Sequence, residues 1–154
     1  MLENLNIQER KCYWRHPFLL FVLLLGCATF ATEFTGQVVG VIDGNTLKFK
    51  HNGTEDQIRL YGIESPELNQ KFGQEARQAN TDWAMGRVVT VKAWGLDNVG
   101  RVIGIVILPD GNNLNHQLVK QGFARWDRRF PQETELEELE TQARDAKRGM
   151  WGDR

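Results

Sequence analysis

The sequence predicts an α+β domain in which five strands close into a small barrel packed by three helices. Three observations carry that expectation. Short segments with period-two alternation are separated by Asn, Asp and Gly turns. One stretch of helical periodicity follows the third of them. Two further strands then precede two more amphipathic stretches.

The elements follow in chain order. Thr35 to Ile42 (TGQVVGVI) is rich in β-branched residues and is broken by Asp43-Gly44-Asn45. Thr46 to Lys50 alternates Leu47 and Phe49 against Lys48 and Lys50. After the turn His51-Asn52-Gly53, Gln57 to Ile63 alternates again, with Arg59, Tyr61 and Ile63 on one face and Ile58 and Leu60 on the other. Ser65-Pro66 ends this third strand. Phe72 to Met85 places Phe72, Ala76, Ala79 and Trp83 on one helical stripe, and Gly86 ends it. Val88 to Trp94 and Val102 to Leu108 read as strands, joined through GLDNVGR. Leu114 to Gln121 is a short helix. The last helix starts near Thr134, where Thr134 and Glu137 fit a capping box, and Leu136, Leu139, Ala143 and Ala146 form its stripe. The order β-β-β-α-β-β-α-α fits a five-stranded Greek-key barrel of the OB type.

The apolar residues are unevenly spread. Phe18 to Ala31 (FLLFVLLLGCATFA) carries no charge and follows Arg10, Lys11, Arg15 and His16. That pattern predicts residues 1–31 as an export signal and 32–154 as the folded domain. The apolar run is shorter than the roughly 20 residues a membrane span needs. Cleavage after Ala31 would release a soluble, extracytoplasmic protein, secreted or periplasmic. Alternatively, LLGC resembles a lipoprotein box in which Cys27 would carry lipid. Cys12 and Cys27 are the only cysteines, so the domain is expected to hold no disulfide and no cysteine metal site. Without the leader, 16 basic residues face 18 acidic ones. That balance excludes a broad, nonspecific electrostatic grip on nucleic acid. Binding of a polyanion must come from local groups.

One stretch supplies such groups. IRLYGIESPE (58–67) sets Arg59, Glu64 and Glu67 close together around a Ser-Pro, and a Gly-Arg pair recurs at Gly100-Arg101. Each residue alone reads most simply as a solvated charge. Together they suit phosphodiester hydrolysis. An arginine fork can hold two phosphate oxygens and keeps its charge near neutral pH. Two such forks tighten as charge builds in the transition state. A carboxylate can orient or deprotonate the attacking water.

From about Phe34 to Asp153 the chain resembles the staphylococcal-nuclease-like, or thermonuclease, family. The resemblance rests on VIDGNT (41–46), IRLYGIESPE (58–67), FGQEA (72–76), Gly100-Arg101, LVKQGFAR (118–125) and RGMW (148–151), in order. It implies an OB barrel with three helices. It also implies a calcium-dependent nuclease cleaving DNA and RNA, single strands favoured, as a monomer. It places the catalytic arginines at Arg59 and Arg101 and the catalytic glutamate at Glu67. It places the Ca2+ ligands at Asn45, Glu64 and the backbone carbonyl of Ser65, with Asp43 in the same turn. Asn45 and Glu64 stand where the family has aspartates, which predicts weaker calcium binding. Val99 stands where the family often has an aromatic residue, so base stacking would fall to Tyr61, Trp126 or Phe130. A binding module with impaired catalysis is the alternative reading. Arg125, Arg128 and Arg129 form a local basic cluster. His51 and His116 read as surface or turn residues.

Overall fold

The computed structural model describes residues 32–152. The expected export segment 1–31, with Cys27, lies outside the described residues. β1 (Thr32–Asp43), β2 (Thr46–His51) and β3 (Thr54–Leu60) form an antiparallel meander. Next come a two-residue strand β4 (Ile63–Glu64), helix α1 (Gly73–Ala84), and strands β5 (Val88–Leu96) and β6 (Val102–Ile107). Helix α2 (Leu114–Lys120), a short β7 (Arg125–Trp126), helix α3 (Thr134–Asp145) and a 3-10 turn (Gly149–Trp151) complete the described chain.

The five long strands close into a barrel in the order β1-β2-β3-β6-β5, with β5 returning to β1. Closure is made by a parallel pairing of β3 with β6, in which Ile58, Arg59 and Leu60 oppose Val102, Ile103 and Gly104. The expected OB-type barrel with three helices is therefore present. β1 is longer than its β-branched run and irregular in register near Val38–Gly40 and Val41–Asp43. Such irregularities strengthen the local twist that a small closed barrel needs.

Alternation along the strands fills the interior. Val38, Leu47, Phe49, Ile58, Leu60, Val89, Val91 and Val106 are buried in one core with Leu114, Leu118 and Val119 of α2 and Leu136 of α3. The α1 stripe forms as expected, with Ala76 and Ala79 buried and Trp83 edge-on to Phe123 at 6.0 Å.

Three local readings are corrected. The third strand does not run to Ile63. Gly62 adopts φ +74°, the strand breaks there, and Tyr61 and Ile63 are buried while Arg59 is half-buried. The two-residue β7 has too little sequence to show periodicity and exists by pairing with β4. The capping box does not form. Thr134 is already helical, and the N-cap is Glu133 with no side-chain capping bond.

Asn115 of α2 fastens the helix to the barrel. Its Oδ1 accepts from the Val106 amide at 3.1 Å, and its Nδ2 donates to the carbonyls of Tyr61 (2.9 Å) and Gly104 (3.3 Å). The residue is 1% exposed. Asn115→Ala would strand these buried groups, which cost about 1–3 kcal/mol each when unsatisfied. Thermal unfolding of that variant is expected to show a destabilisation of about 2–3 kcal/mol.

Candidate active site

The site begins with a turn. Asp43-Gly44-Asn45 joins β1 to β2, and Asp43 Oδ1 accepts from the Asn45 amide at 2.9 Å, a local bond that favours the reversal. Gly44 is required here by space. A Cβ on it would lie 2.7 Å from the Cβ atoms of both Ser65 and Ala76. The turn is thus wedged between α1 and the Glu64-Ser65 segment. Asn80 of α1 adds a bond from its Nδ2 to the Asp43 carbonyl at 3.2 Å.

Asn45 is 1% exposed. Its Oδ1 accepts from Arg59 Nη1 and from Thr46 Oγ1 (3.4 Å), and its Nδ2 reaches the Ile63 carbonyl at 3.5 Å. Arg59 projects from β3, where it pairs with Thr46 on one side and Ile103 on the other. Burial lowers its pKa, as do the neighbouring charges of Arg101 and Arg129, while Asp43 and Glu64 raise it.

Arg101 stands at the entry to β6, two residues before the partner of Arg59. Asp97 organises its loop by accepting from the amides of Val99 (3.0 Å) and Arg101 (2.9 Å) through Oδ1. Its Oδ2 takes the Arg101 Nε at 2.6 Å. Partial burial would raise the Asp97 carboxyl, but these bonds outweigh it and hold the group below its ordinary value.

Arg59 and Arg101 line one cavity of about 300 Å³, together with Arg129, Asp97, Asp127, Tyr61 and Phe130. Tyr61 stacks on Trp94 with centroids 5.4 Å apart and meets Phe130 edge-on at 4.5 Å. The cavity therefore has a cationic floor and an aromatic flank. Trp94 is 51% exposed, beside the equally open Leu96 and Val99. Trp126 has a different place from its expected companions. It is buried, its Nε1 donates to the Phe130 carbonyl at 3.0 Å, and the Arg128 guanidinium covers its ring at 4.1 Å.

Glu64 and Ser65 lie across β4 from β7. Glu64 is the register partner of Arg125. Its Oε2 accepts from Arg125 Nη2 at 2.7 Å and Nε at 3.2 Å, and its Oε1 accepts from Arg129 Nη2 at 3.0 Å. Arg129 is anchored by the buried Asp127, whose Oδ2 accepts its Nη2 at 2.6 Å. Desolvation raises the Asp127 carboxyl, but the Arg129 bonds and the Arg59 charge prevail and lower it.

Glu67 stands apart. It is exposed in the turn before α1, and only its backbone is engaged: its amide donates to Gln70 Oε1 at 2.9 Å and its carbonyl accepts from the Gln70 amide at 2.8 Å. Gly73 packs directly on that carbonyl. The structure thus places Arg59 and Arg101 in the cavity lining, with Asn45 bonded to Arg59 and Glu64 acting on it by charge, while Asn45, Glu64 and Glu67 all lie outside that lining. Sequence reasoning missed Trp94 and the place of Asp97, Asp127 and Arg129 beside the two arginines. The Asp97-to-Arg101 spacing, with its Asn98 and Gly100, was the one available sign of a tight carboxylate-organised loop.

Among the described residues no cluster of three or more His, Cys, Asp or Glu side chains is arranged to hold a metal. The turn that carries Asp43 and Asn45 lies next to the Ile63–Ser65 segment: Asn45 Nδ2 reaches the Ile63 carbonyl, and both Asp43 and Glu64 act on Arg59 by charge. A carboxylate, an amide oxygen and a main-chain carbonyl are hard ligands, and in chemistry they fit a calcium ion.

Comparison with known proteins shows the family of the chain. The family model described as "Staphylococcal nuclease homologue" matches residues 57–153. A protein of Escherichia coli named "Uncharacterized endonuclease" is 32% identical over 137 residues, covering 89% of this chain and 88% of its own. The "Micrococcal nuclease" of Shigella flexneri is 32% identical over 143 residues, covering 86% and 81%. "Protein ParB" of Escherichia coli is 34% identical over 158 residues, covering 94% and 88%.

Proposed function

Because the chain belongs to the staphylococcal nuclease homologue family and is a nuclease, we propose that it hydrolyses phosphodiester bonds of DNA and RNA with the help of calcium, outside the cytoplasm. The observation that carries this reading is the pair Arg59 and Arg101, two guanidinium groups from parallel neighbouring strands lining one cavity. A phosphate held between them would meet fixed donors that strengthen as negative charge develops. The aromatic flank of Tyr61, Phe130 and Trp94 suits unstacked bases, so single-stranded substrates are favoured.

Asp43, Asp97, Asp127 and Glu64 each already accept hydrogen bonds. The Glu67 side chain is exposed. Hydrogen bonds at such sites often tighten only with substrate present. Water activation is assigned to Glu67 on the resemblance to the family's motif. Asn45, Glu64 and the Ser65 carbonyl would hold the calcium ion, which supplies further neutralisation of phosphate charge when bound. The apolar leader with Arg10, Lys11 and Arg15 supports export, either with release after Ala31 or with lipid on Cys27.

The test is cleavage of single-stranded DNA and RNA by the 32–154 domain, with calcium and with a chelator. Calcium-stimulated cleavage is the expected result, and absence of cleavage at every calcium concentration would overturn the reading. Asn45 favours a second reading, a nucleic-acid binder with impaired catalysis, because it brings no charge to the donor set. Asn45→Asp separates the two. A carboxylate there is expected to raise activity at limiting calcium by about tenfold, since affinity follows ligand charge. Oligonucleotide binding without turnover, before and after the substitution, would favour the binder.

A further inference from the structure

The geometry points to Arg125 and Arg129 as competitors for the cation site: they hold Glu64 in the free protein and set how tightly a divalent ion binds there. This inference rests on the calcium reading above.

Both oxygens of Glu64 are occupied, Oε2 by Arg125 and Oε1 by Arg129. Neither contact is incidental. Arg125 is the cross-strand partner of Glu64 in the β4–β7 pair, so the register itself delivers the guanidinium. Arg129 is oriented by Asp127, which is 6% exposed and fixes it through Nε (2.9 Å to Oδ1) and Nη2. The same Asp127 Oδ1 also accepts the Arg129 amide at 3.0 Å, locking the turn. The second side-chain donor, Asn45 Oδ1, is likewise held by Arg59. An ion reaching Glu64 must displace guanidinium from the oxygens it needs. It would also sit beside two unit positive charges. The extra methylene of glutamate over aspartate gives Glu64 the reach to serve both arginines at once. Both arginines are exposed in part and can move away toward solvent.

A positive charge a few ångströms from a divalent ion opposes it by about tenfold in affinity even in a water-like dielectric, and less at high salt. Calorimetric titration of the 32–154 domain with calcium chloride alone tests this, beside Arg125→Gln, Arg129→Gln and their double variant. Each single variant is expected to bind calcium about tenfold more tightly, and the double variant more tightly still. Arg125→Lys and Arg129→Lys keep the charge and are expected to stay near the parent, which separates competition from a structural role. Circular dichroism confirms that each variant is folded. Equal or weaker calcium binding in the folded glutamine variants would overturn the competition and leave the calcium reading standing. No calcium binding by any of the proteins, beyond the millimolar range of weak calcium modules, would overturn both.

Discussion

Arg59→Ala is expected to lower kcat/KM for single-stranded DNA by about 10³-fold, and Arg101→Ala by about 10²-fold or more. Removing one preorganised donor from a developing oxyanion costs about 10²–10³ in rate, and an arginine serving a phosphoryl transition state is worth more. Arg59 receives the larger figure because of its setting. It is half-buried, held by Asn45 of the β1–β2 turn, and lies on the strand that pairs with β6, whose entry carries Arg101. Its position is therefore defined before substrate arrives. The loss should fall mainly on kcat, since the contact strengthens as charge builds. Arg59→Lys is expected to restore little, because an ammonium lacks the planar fork. Stability should not fall with activity. Burial and the charges of Arg101 and Arg129 oppose the Arg59 charge while Asp43 and Glu64 favour it, so alanine removes opposing contributions together. Steady-state kinetics with a parallel thermal melt checks both. Parent-like cleavage by a folded Arg59→Ala protein would remove the basis of the assignment.

Glu67→Gln is expected to lower kcat by about 10²–10⁴-fold, the span attributed to a positioned general base. The side chain is exposed and glutamine matches it in size, so the melting temperature should change little. A second readout distinguishes water activation from general electrostatics. The loss should fall on kcat, while the binding of uncleaved oligonucleotide is retained. An unchanged kcat would return the role to a different carboxylate.

Much of this protein could be read from its sequence because the physics there is local. β2 shows Leu47 and Phe49 inside and Lys48 and Lys50 outside, and α1 shows its alanine stripe, since periodicity and burial coincide in these elements. The motif around Arg59 was equally legible, since it draws its meaning from residue types at close spacing. What escaped is non-local. β7 consists of Arg125 and Trp126 alone, and only the presence of Ile63 and Glu64 opposite makes it a strand. Alternation predicted one strand running to Ile63, but the chain leaves β3 after Leu60 and turns at the left-handed Gly62, although Arg59, Tyr61 and Ile63 still line one cavity. Asp97 and Asp127 hold arginines only four and two residues away, but their place beside Arg59 in one cavity is set by tertiary folding. Trp94 looked like the end of a strand. Its role beside Tyr61 depends on β5 and β3 curving around the same barrel end.

The parallel pairing of β3 with β6 has one more consequence. It closes the cylinder and spans only Ile58–Leu60 against Val102–Gly104. Arg59 and Arg101 become neighbours only when that join is made. A nascent, truncated or partly unfolded chain would carry every residue of the cutting apparatus and yet be harmless to nucleic acid. Hydrolysis is therefore expected to report that the cylinder has shut.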